Sequence, residues 1–417
     1  MPTTPSARVD SAIGRPTRRR VLGSAAGLGA LALLGTPAGR AAEPVTRPGA
    51  AVTKGWLELW QKSILASARK RYCDTETGEE LGWFLSPFLN GFYHGYRATG
   101  DAKWADLLMD WAESWVKRGV KEPDGFVGWP KADGASTNVV PGLFTDNMLG
   151  EAMAFHPVVL MADVVGKTPA LQGRHGAAAA RYLQLAEETF AKWDARGCWR
   201  ATDAGGVWVV PPFGIDQAAG RFTAGYDSRK TDGFSHPANK QNHIARWLLA
   251  MGDVTGKPVY HERARLWFQT MKSRMRLRDG KYLVWNYWDP AGPWDYKANR
   301  QPKHWVGVHP NGGYYGIDAE GIAAAHEHGL VFDKADLARL IATNRDFMWD
   351  QKVEGATFRR IDGGQPEGQW KGSPGVLWAA LVPHDATLRR IFEANHKPDG
   401  WGGIASTPWY LATVGRG

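Results

Sequence analysis

One phrase recurs along the chain, and it narrows the possible folds more than any other feature. It reads "YRATGDAKWADLLMDWAESW" from Tyr96, "ADVVGKTPALQ…AARYLQLAEETFAKW" from Ala162 and "AMGDVTGKPVYHERARLWFQTM" from Ala250. Each copy ends one helix at a glycine (Gly100, Gly166, Gly256), where a left-handed cap costs glycine little, and starts an amphipathic helix almost at once. A looser copy, "IAAAHEHGLVFDKADLARLIATNRDF" from Ile322, stops at Gly329. Links this short make antiparallel helical hairpins.

The starts of the first helices also share a plan. Ser86-Pro87, His236-Pro237, Ser373-Pro374 and Thr407-Pro408 place a polar or capping residue before a proline, and Thr145-Asp146 does so without one. Between the hairpins run long Gly/Pro/Trp-rich stretches, at Glu122–Phe144, Arg200–Phe234 and Trp288–Tyr314. Inner helices starting near 86, 146, 237, 315, 373 and 407 give six units. The sixth closes when "STPWYLATV" pairs with the N-terminal helix Val52–Tyr72. The expectation is an all-α (α/α)6 toroid, a six-hairpin barrel, with long loops and minor β decoration such as "KYLVWNYW" on the active-site side. An open helical solenoid is the alternative.

In this arrangement all inner helices start at one mouth. That explains why "FSHPANKQNHIARWLLAMGDVTG" (from Phe234) opens on His236, Asn239, Gln241, Asn242 and His243 before turning apolar. Asn90 and His94 recur at another start, Asp146, Asn147 and Glu151 at a third, and Tyr314, Tyr315, Asp318 and Glu320 at a fourth.

Residues 1–42 do not fit this scheme. Arg18 and Arg19 precede a short small-residue apolar run and a candidate cleavage site near "GRAA", the pattern of a twin-arginine export signal. The expected layout is a signal peptide at 1–42 and one catalytic domain at 43–417, periplasmic or extracellular. No later stretch reads as long and apolar enough to span a bilayer, so no membrane association is expected after cleavage. The formal charge of +9 falls to +4 once the segment's six arginines and one aspartate are removed. That is too mild for a nucleic-acid partner but compatible with an anionic polymer. The only cysteines, Cys73 and Cys198, permit one disulfide or two buried thiols and exclude a cysteine-based metal site. No cofactor and no metal site is expected, because "HEH" puts His326 and His328 on different helical faces at the turn end.

Twenty-one tryptophans exceed what a core of this size needs, and flat aromatics stack on pyranose rings. The hairpin phrases, with "KYLVWNYWDP" and "HPNGGYYGIDAEGIAAAHEHGLVF", resemble the α/α-toroid carbohydrate-active group of exported bacterial proteins. That group comprises six-hairpin glycosidases, toroid polysaccharide lyases and the helical domain of glucuronyl C5-epimerases. The resemblance implies a polysaccharide or oligosaccharide partner and assigns no reaction.

Residue types lean toward β-elimination on a uronate-containing glycan. A carboxylate is held by Asn239, Asn242 and Arg300, a base is supplied by His236 or His243, and an acid by Tyr314 or Tyr315. His304 and His309 lie close by in sequence, and Trp288, Trp294 and Trp305 offer stacking platforms. Glycoside hydrolysis is the alternative and needs two carboxyls, drawn from Asp146, Glu151, Asp289, Asp295, Asp318 and Glu320 on different helices. A non-catalytic carbohydrate-binding protein would need the aromatics alone. The catalytic expectation rests on His236, His243, Tyr314, Tyr315 and Asp146. The substrate-binding one rests on Asn90, His94, Glu151, Asn239, Asn242, Trp288, Trp294, Arg300, His304 and His309.

Overall fold

The structure, a computed structural model, describes residues 50–132, 142–224, 233–364 and 375–414. The expected signal segment, the loop residues 133–141 and 225–232, and the expected start at Ser373-Pro374 lie outside them. Among the described residues the α-helices are α1 (Ala50–Ser67), α2 (Ser86–Thr99), α3 (Ala102–Lys117), α4 (Met148–Lys167), α5 (Pro169–Ala195), α6 (Ala238–Thr255), α7 (Pro258–Ser273), α8 (Gly313–Glu327), α9 (Lys334–Ala342), α10 (Ala386–Asn395) and α11 (Gly403–Thr413). A short 3-10 turn, Ala379–His384, completes the set needed for a ring.

Neighbours in space give the architecture. α11 packs on α2, α2 on α4, α4 on α6, α6 on α8, and α8 on Ala379–His384. These six form the inner circle. Val382 of the 3-10 turn meets Tyr410 and Leu411 of α11 in one apolar cluster, which closes it. Outside, α3, α5, α7, α9, α10 and α1 pair with successive inner elements. The result is an (α/α)6 toroid. Its sixth hairpin joins α11 to α1, with Trp60 Nε1 donating to the Ile404 carbonyl at 2.9 Å.

Local chemistry explains the two circles. Outer α3 buries Trp104, Leu108, Trp111, Ala112 and Trp115 at helical spacing and turns its charges outward. Inner α4 is buried nearly all round, as a helix must be when it packs on two ring neighbours and an outer partner. It is also 20 residues long with a mean hydropathy of 1.5, so one stretch does have the length and composition to cross a membrane. It is a core helix of the ring, 72% buried.

Gly100 (φ 72°) and Gly256 (φ 68°) are the left-handed stops of α2 and α6, and Gly329 (φ 66°) follows α8. Gly166 is not a stop: α4 runs through it to Lys167, and the break comes at extended Thr168 before Pro169. The N-cap of α4 is Asn147, whose Oδ1 accepts from Gly150 N at 3.1 Å, rather than Asp146. α11 starts at Gly403, so Pro408 lies inside it and Thr407 is no cap. The fifth inner element is reduced to the 3-10 turn, which contains Pro383.

Small antiparallel sheets decorate the mouth. One has the order Lys131–Ala132, Phe144–Thr145, Phe213–Asp216, Arg221–Ala224, and another Trp199–Thr202, Gly205–Val210, Phe234–Ser235. Tyr282–Val284 pairs with Arg276–Arg278, the decoration expected of "KYLVWNYW". Cys73 and Cys198 are separate buried thiols. Burial pushes each up to about 12, so neither is a thiolate near neutrality.

Candidate active site in the bore

The inner elements enclose a cavity of about 540 Å³, within the range that holds sugars and similar ligands. α2 contributes Asn90 and His94, α4 Met153 and His156, α6 His243 and Arg246, and α8 Glu320 and Glu327. Trp83, Trp401 and Trp409 supply aromatic surface. The side chains reach the bore because they repeat on one face of each helix, three or four residues apart. Pro157 adds a local feature: its ring removes the helical donor for the Met153 carbonyl next to His156.

The three histidines are uncharged near neutrality. Burial pushes His94 and His243 down to about 3, and the charge of Arg246 adds to this in both. His156 is driven well below its ordinary value by burial, and then by Arg246, His94 and His243. His94 Nδ1 and His243 Nε2 are buried with no hydrogen-bond partner among the described residues. Arg246 Nη1 pairs with Glu320 Oε2 on the neighbouring inner helix. At the mouth, Trp83 lies edge-on to His243 with centroids 5.9 Å apart and donates from Nε1 to Glu79 Oε1 at 3.0 Å. Glu79 also holds Lys240 at 2.8 Å. The arrangement offers hydrogen-bond acceptors, the Arg246 cation and the Glu320 and Glu327 carboxylates to a neutral, hydroxyl-rich ligand.

Several residues singled out in the sequence lie elsewhere. Asp146 and Glu151 belong to a buried ion network outside the bore. Lys192 Nζ is 2.6 Å from Asp146 Oδ2 and 2.5 Å from Glu151 Oε1, and Trp193 Nε1 donates to Glu151 Oε2 at 2.6 Å. Arg196 binds Asp146 at 3.0 Å and Glu122 at 2.6 Å. Burial and the Asp146 charge hold Glu151 well above the usual carboxylate range. For Asp146, burial pulls upward, but Lys192 and Arg196 outweigh it and keep the group ionised.

Asn242 and Asp318 are core groups. Asn242 Oδ1 accepts from Trp267 Nε1 at 2.8 Å, and its Nδ2 donates to Asp318 Oδ1 at 2.7 Å. Trp285 Nε1 reaches Asp318 Oδ2 at 2.8 Å. Asn239 is buried in the first turn of α6 and does not line the cavity. Asp295 is fully buried and accepts from Ser235 N and Oγ at 2.7 Å each, so it organises the tryptophan loop. Asp289 caps the same loop through Asn286 Nδ2 at 2.7 Å.

The elimination constellation is not assembled. The Tyr315 hydroxyl is buried and accepts from His309 N at 2.8 Å. His236 lines a crevice of about 10 Å³ beside Trp285 and Trp288 rather than the bore. No tyrosine lines the bore among the described residues, and Arg300 is exposed on the loop. His236, Asp146 and Tyr315 thus share no hollow. Tyr314, His304 and His309 gather with Trp288 around Tyr287 at the rim, with Tyr314 and Tyr287 stacked at 5.1 Å. Trp288 and Trp294 donate to Ser235 and are built into that rim. Trp305 is half exposed there.

His243, His94, Asn90 and Glu320 do reach the bore, whereas His156, Arg246, Trp83, Trp401 and Trp409 are functional candidates that the reading of first turns misses. A signal for His156 was present: it interrupts a helix that is otherwise apolar nearly all round.

No family model matches this chain, and no curated protein matches it. Solved structures with a similar arrangement of helices include an inactive variant of an alpha-1,6-mannanase of Salegentibacter sp. HEL1_6 in complex with alpha-1,6-mannotriose. It is 11% identical, with 87% of this chain and 98% of that one covered and a TM-score of 0.46. A D-mannose isomerase is 15% identical, with 87% of each chain covered and a TM-score of 0.47. A family 76 glycoside hydrolase from a bovine Bacteroides thetaiotaomicron strain is 11% identical, with 84% and 67% covered and a TM-score of 0.44. The toroid itself is established by the helix pairing described above.

Proposed function

We propose that the chain is an exported carbohydrate-active enzyme that takes a sugar into the bore and moves a proton on it. Aldose–ketose isomerisation, or epimerisation beside a carbonyl, is the reaction class that suits its groups. The observation that carries this reading is the gathering of three uncharged histidines, two with partnerless ring nitrogens, around the Arg246–Glu320 pair. A neutral imidazole takes the proton from the carbon next to the carbonyl, and the electron pair moves onto the carbonyl oxygen. Arg246 stabilises that developing oxyanion. In isomerisation the imidazolium returns its proton to the former carbonyl carbon while the neighbouring hydroxyl passes its proton to the oxyanion, so the carbonyl moves one carbon along. In epimerisation the same imidazolium gives its proton back on the opposite face once the planar enediolate has turned. Trp83 and Trp401 offer stacking faces at the entrance.

Glycoside hydrolysis is the second reading, because Glu320 and Glu327 both line the cavity. Seven residues along one helix set their backbones about 10.5 Å apart, beyond the roughly 6.5–9.5 Å an inverting pair uses unless the side chains lean together. Uronate elimination is less well supported, because no tyrosine lines the bore among the described residues.

The test is incubation of the full chain with mannose, other free aldoses and mannose oligomers in deuterated water, followed by nuclear magnetic resonance. A new sugar carrying solvent deuterium is expected. His243→Gln and Arg246→Met should each lower kcat by about 100-fold or more with unchanged circular dichroism. New reducing ends without deuterium at carbon would replace this reading with hydrolysis. Unsaturated-uronate absorbance would replace it with elimination, and binding without turnover would make the protein a carbohydrate binder.

A further inference from the structure

At the turn end of the ring, away from the mouth sheets, two hairpins bring together side chains that the bore does not use. We propose that Asp253, His261 and His328 form a surface site for a divalent transition metal of the zinc class. Asp253 lies in the last turn of α6, His261 in the first turn of α7, and His328 caps α8. Their ligand atoms all lie within 4.8 Å of one another. Asp253 Oδ1 is 3.0 Å from His261 Nε2, and Oδ2 is 3.0 Å from His328 Nε2. A tetrahedral zinc ion with bonds near 2.0–2.1 Å holds its donors roughly 3.3 Å apart; the Asp253–histidine spacings are already close to this, and the set as a whole would close from within 4.8 Å.

Two further features show that the donors are oriented. His328 Nδ1 lies 2.7 Å from the Ala324 carbonyl and Nε2 lies 3.0 Å from Asp253 Oδ2, both acceptors, so each ring nitrogen donates; a metal would displace the Nε2 proton while Nδ1–H stays on Ala324. This is how metal-binding histidines are held by a second hydrogen bond. Across the site, a Cβ at Gly252 would stand 2.4 Å from His261 Nε2 and 2.3 Å from its Cδ2. Glycine at 252 is therefore what lets that imidazole lie against α6.

His261 Nε2 also lies 3.2 Å from the Leu249 carbonyl. Metal binding moves that proton to Nδ1 and exchanges the contact for a metal bond. Two imidazoles and one carboxylate suit zinc, copper or nickel better than calcium or magnesium. His326, the other histidine of "HEH", is turned away and contacts the Phe332 carbonyl at 3.0 Å. An ion here would tie the α6–α7 turn to the end of α8 and so staple two adjacent hairpins.

The test titrates the metal-stripped full chain with zinc ions alone, by calorimetry and by thermal melting. One saturable site and a rise in melting temperature are expected. Asp253→Asn and His328→Ala should each weaken binding by about 100-fold or more while leaving circular dichroism and sugar turnover unchanged. Gly252→Ala, which displaces the His261 ring, should weaken it as well. Absence of saturable heat, or an undiminished site in the Asp253→Asn/His328→Ala double variant, would reduce the three residues to an ion-pair cluster and overturn the proposal.

Discussion

Lys192 shows how much a single buried cation can govern. It is fully buried between Asp146 and Glu151, both equally withdrawn from solvent. Lys192→Met would leave these carboxyls without their shortest partner, and breaking a buried pair from one side costs about 3–5 kcal/mol. Urea unfolding should show that loss; a change below about 1 kcal/mol would mean that Arg196 alone suffices. Asp318 tests the opposite sign. Burial pushes it up to about 7 against an ordinary 3.8, although Trp285 and Asn242 pull it down. A carboxyl raised on folding stabilises the fold at pH below its unfolded value and loses that contribution as pH rises through 7. The stability of the native chain relative to Asp318→Asn should therefore fall between about pH 4 and 7, by at most ~1.4 kcal/mol per pH unit. A flat difference across that range would show that the carboxyl titrates normally.

At the level of elements, the glycines in the hairpin phrases separate pattern from conformation. Gly256 and Gly166 occupy corresponding places in the repeat, yet only Gly256 has a left-handed backbone. A Cβ at either meets nothing within 4 Å, so backbone conformation alone decides the outcome. Gly256→Ala should cost about 1–2 kcal/mol, whereas Gly166→Ala, inside α4, should be neutral or stabilising by about 0.5–1 kcal/mol. Thermal melting of the two variants checks the pair, and equal effects would contradict the difference in φ. Hairpins were legible because a glycine stop and an amphipathic restart are local signals. The start of α11 was not, because Pro408 reads as a first-turn residue and only packing shows that the helix begins earlier, at Gly403.

The whole molecule depends on closing the circle. Trp60 of α1 is fully buried and bonded to Ile404 at the start of α11, joining elements 344 residues apart. Trp60→Ala should cost about 3–5 kcal/mol and lower sugar turnover, since the bore wall includes α11. A melting temperature unchanged by more than a degree or two would show that the ring does not rely on this seam. Among the described residues twelve tryptophans, Trp60 among them, are fully buried, so most of the aromatic excess is core, and Trp83, Trp401 and Trp409 are the exceptions at the bore. The sequence by itself determined the helical hairpins and made a six-unit ring the expected arrangement, because these rest on spacing of apolar residues and on turns that neighbouring residues specify. Closure, open against a solenoid in the sequence, was decided by the packing of α11 on α2 and α1 and of Val382 on Tyr410. Only the tertiary structure decided which polar residues meet. Asp146 and Asn242 carry the same side chains at helix starts as bore residues do, but their direction around the helix and the partners opposite them put one in an ion network and the other in the core. Conversely, His94 and His156 become neighbours of His243 and Arg246 only when three helices distant in sequence face one axis.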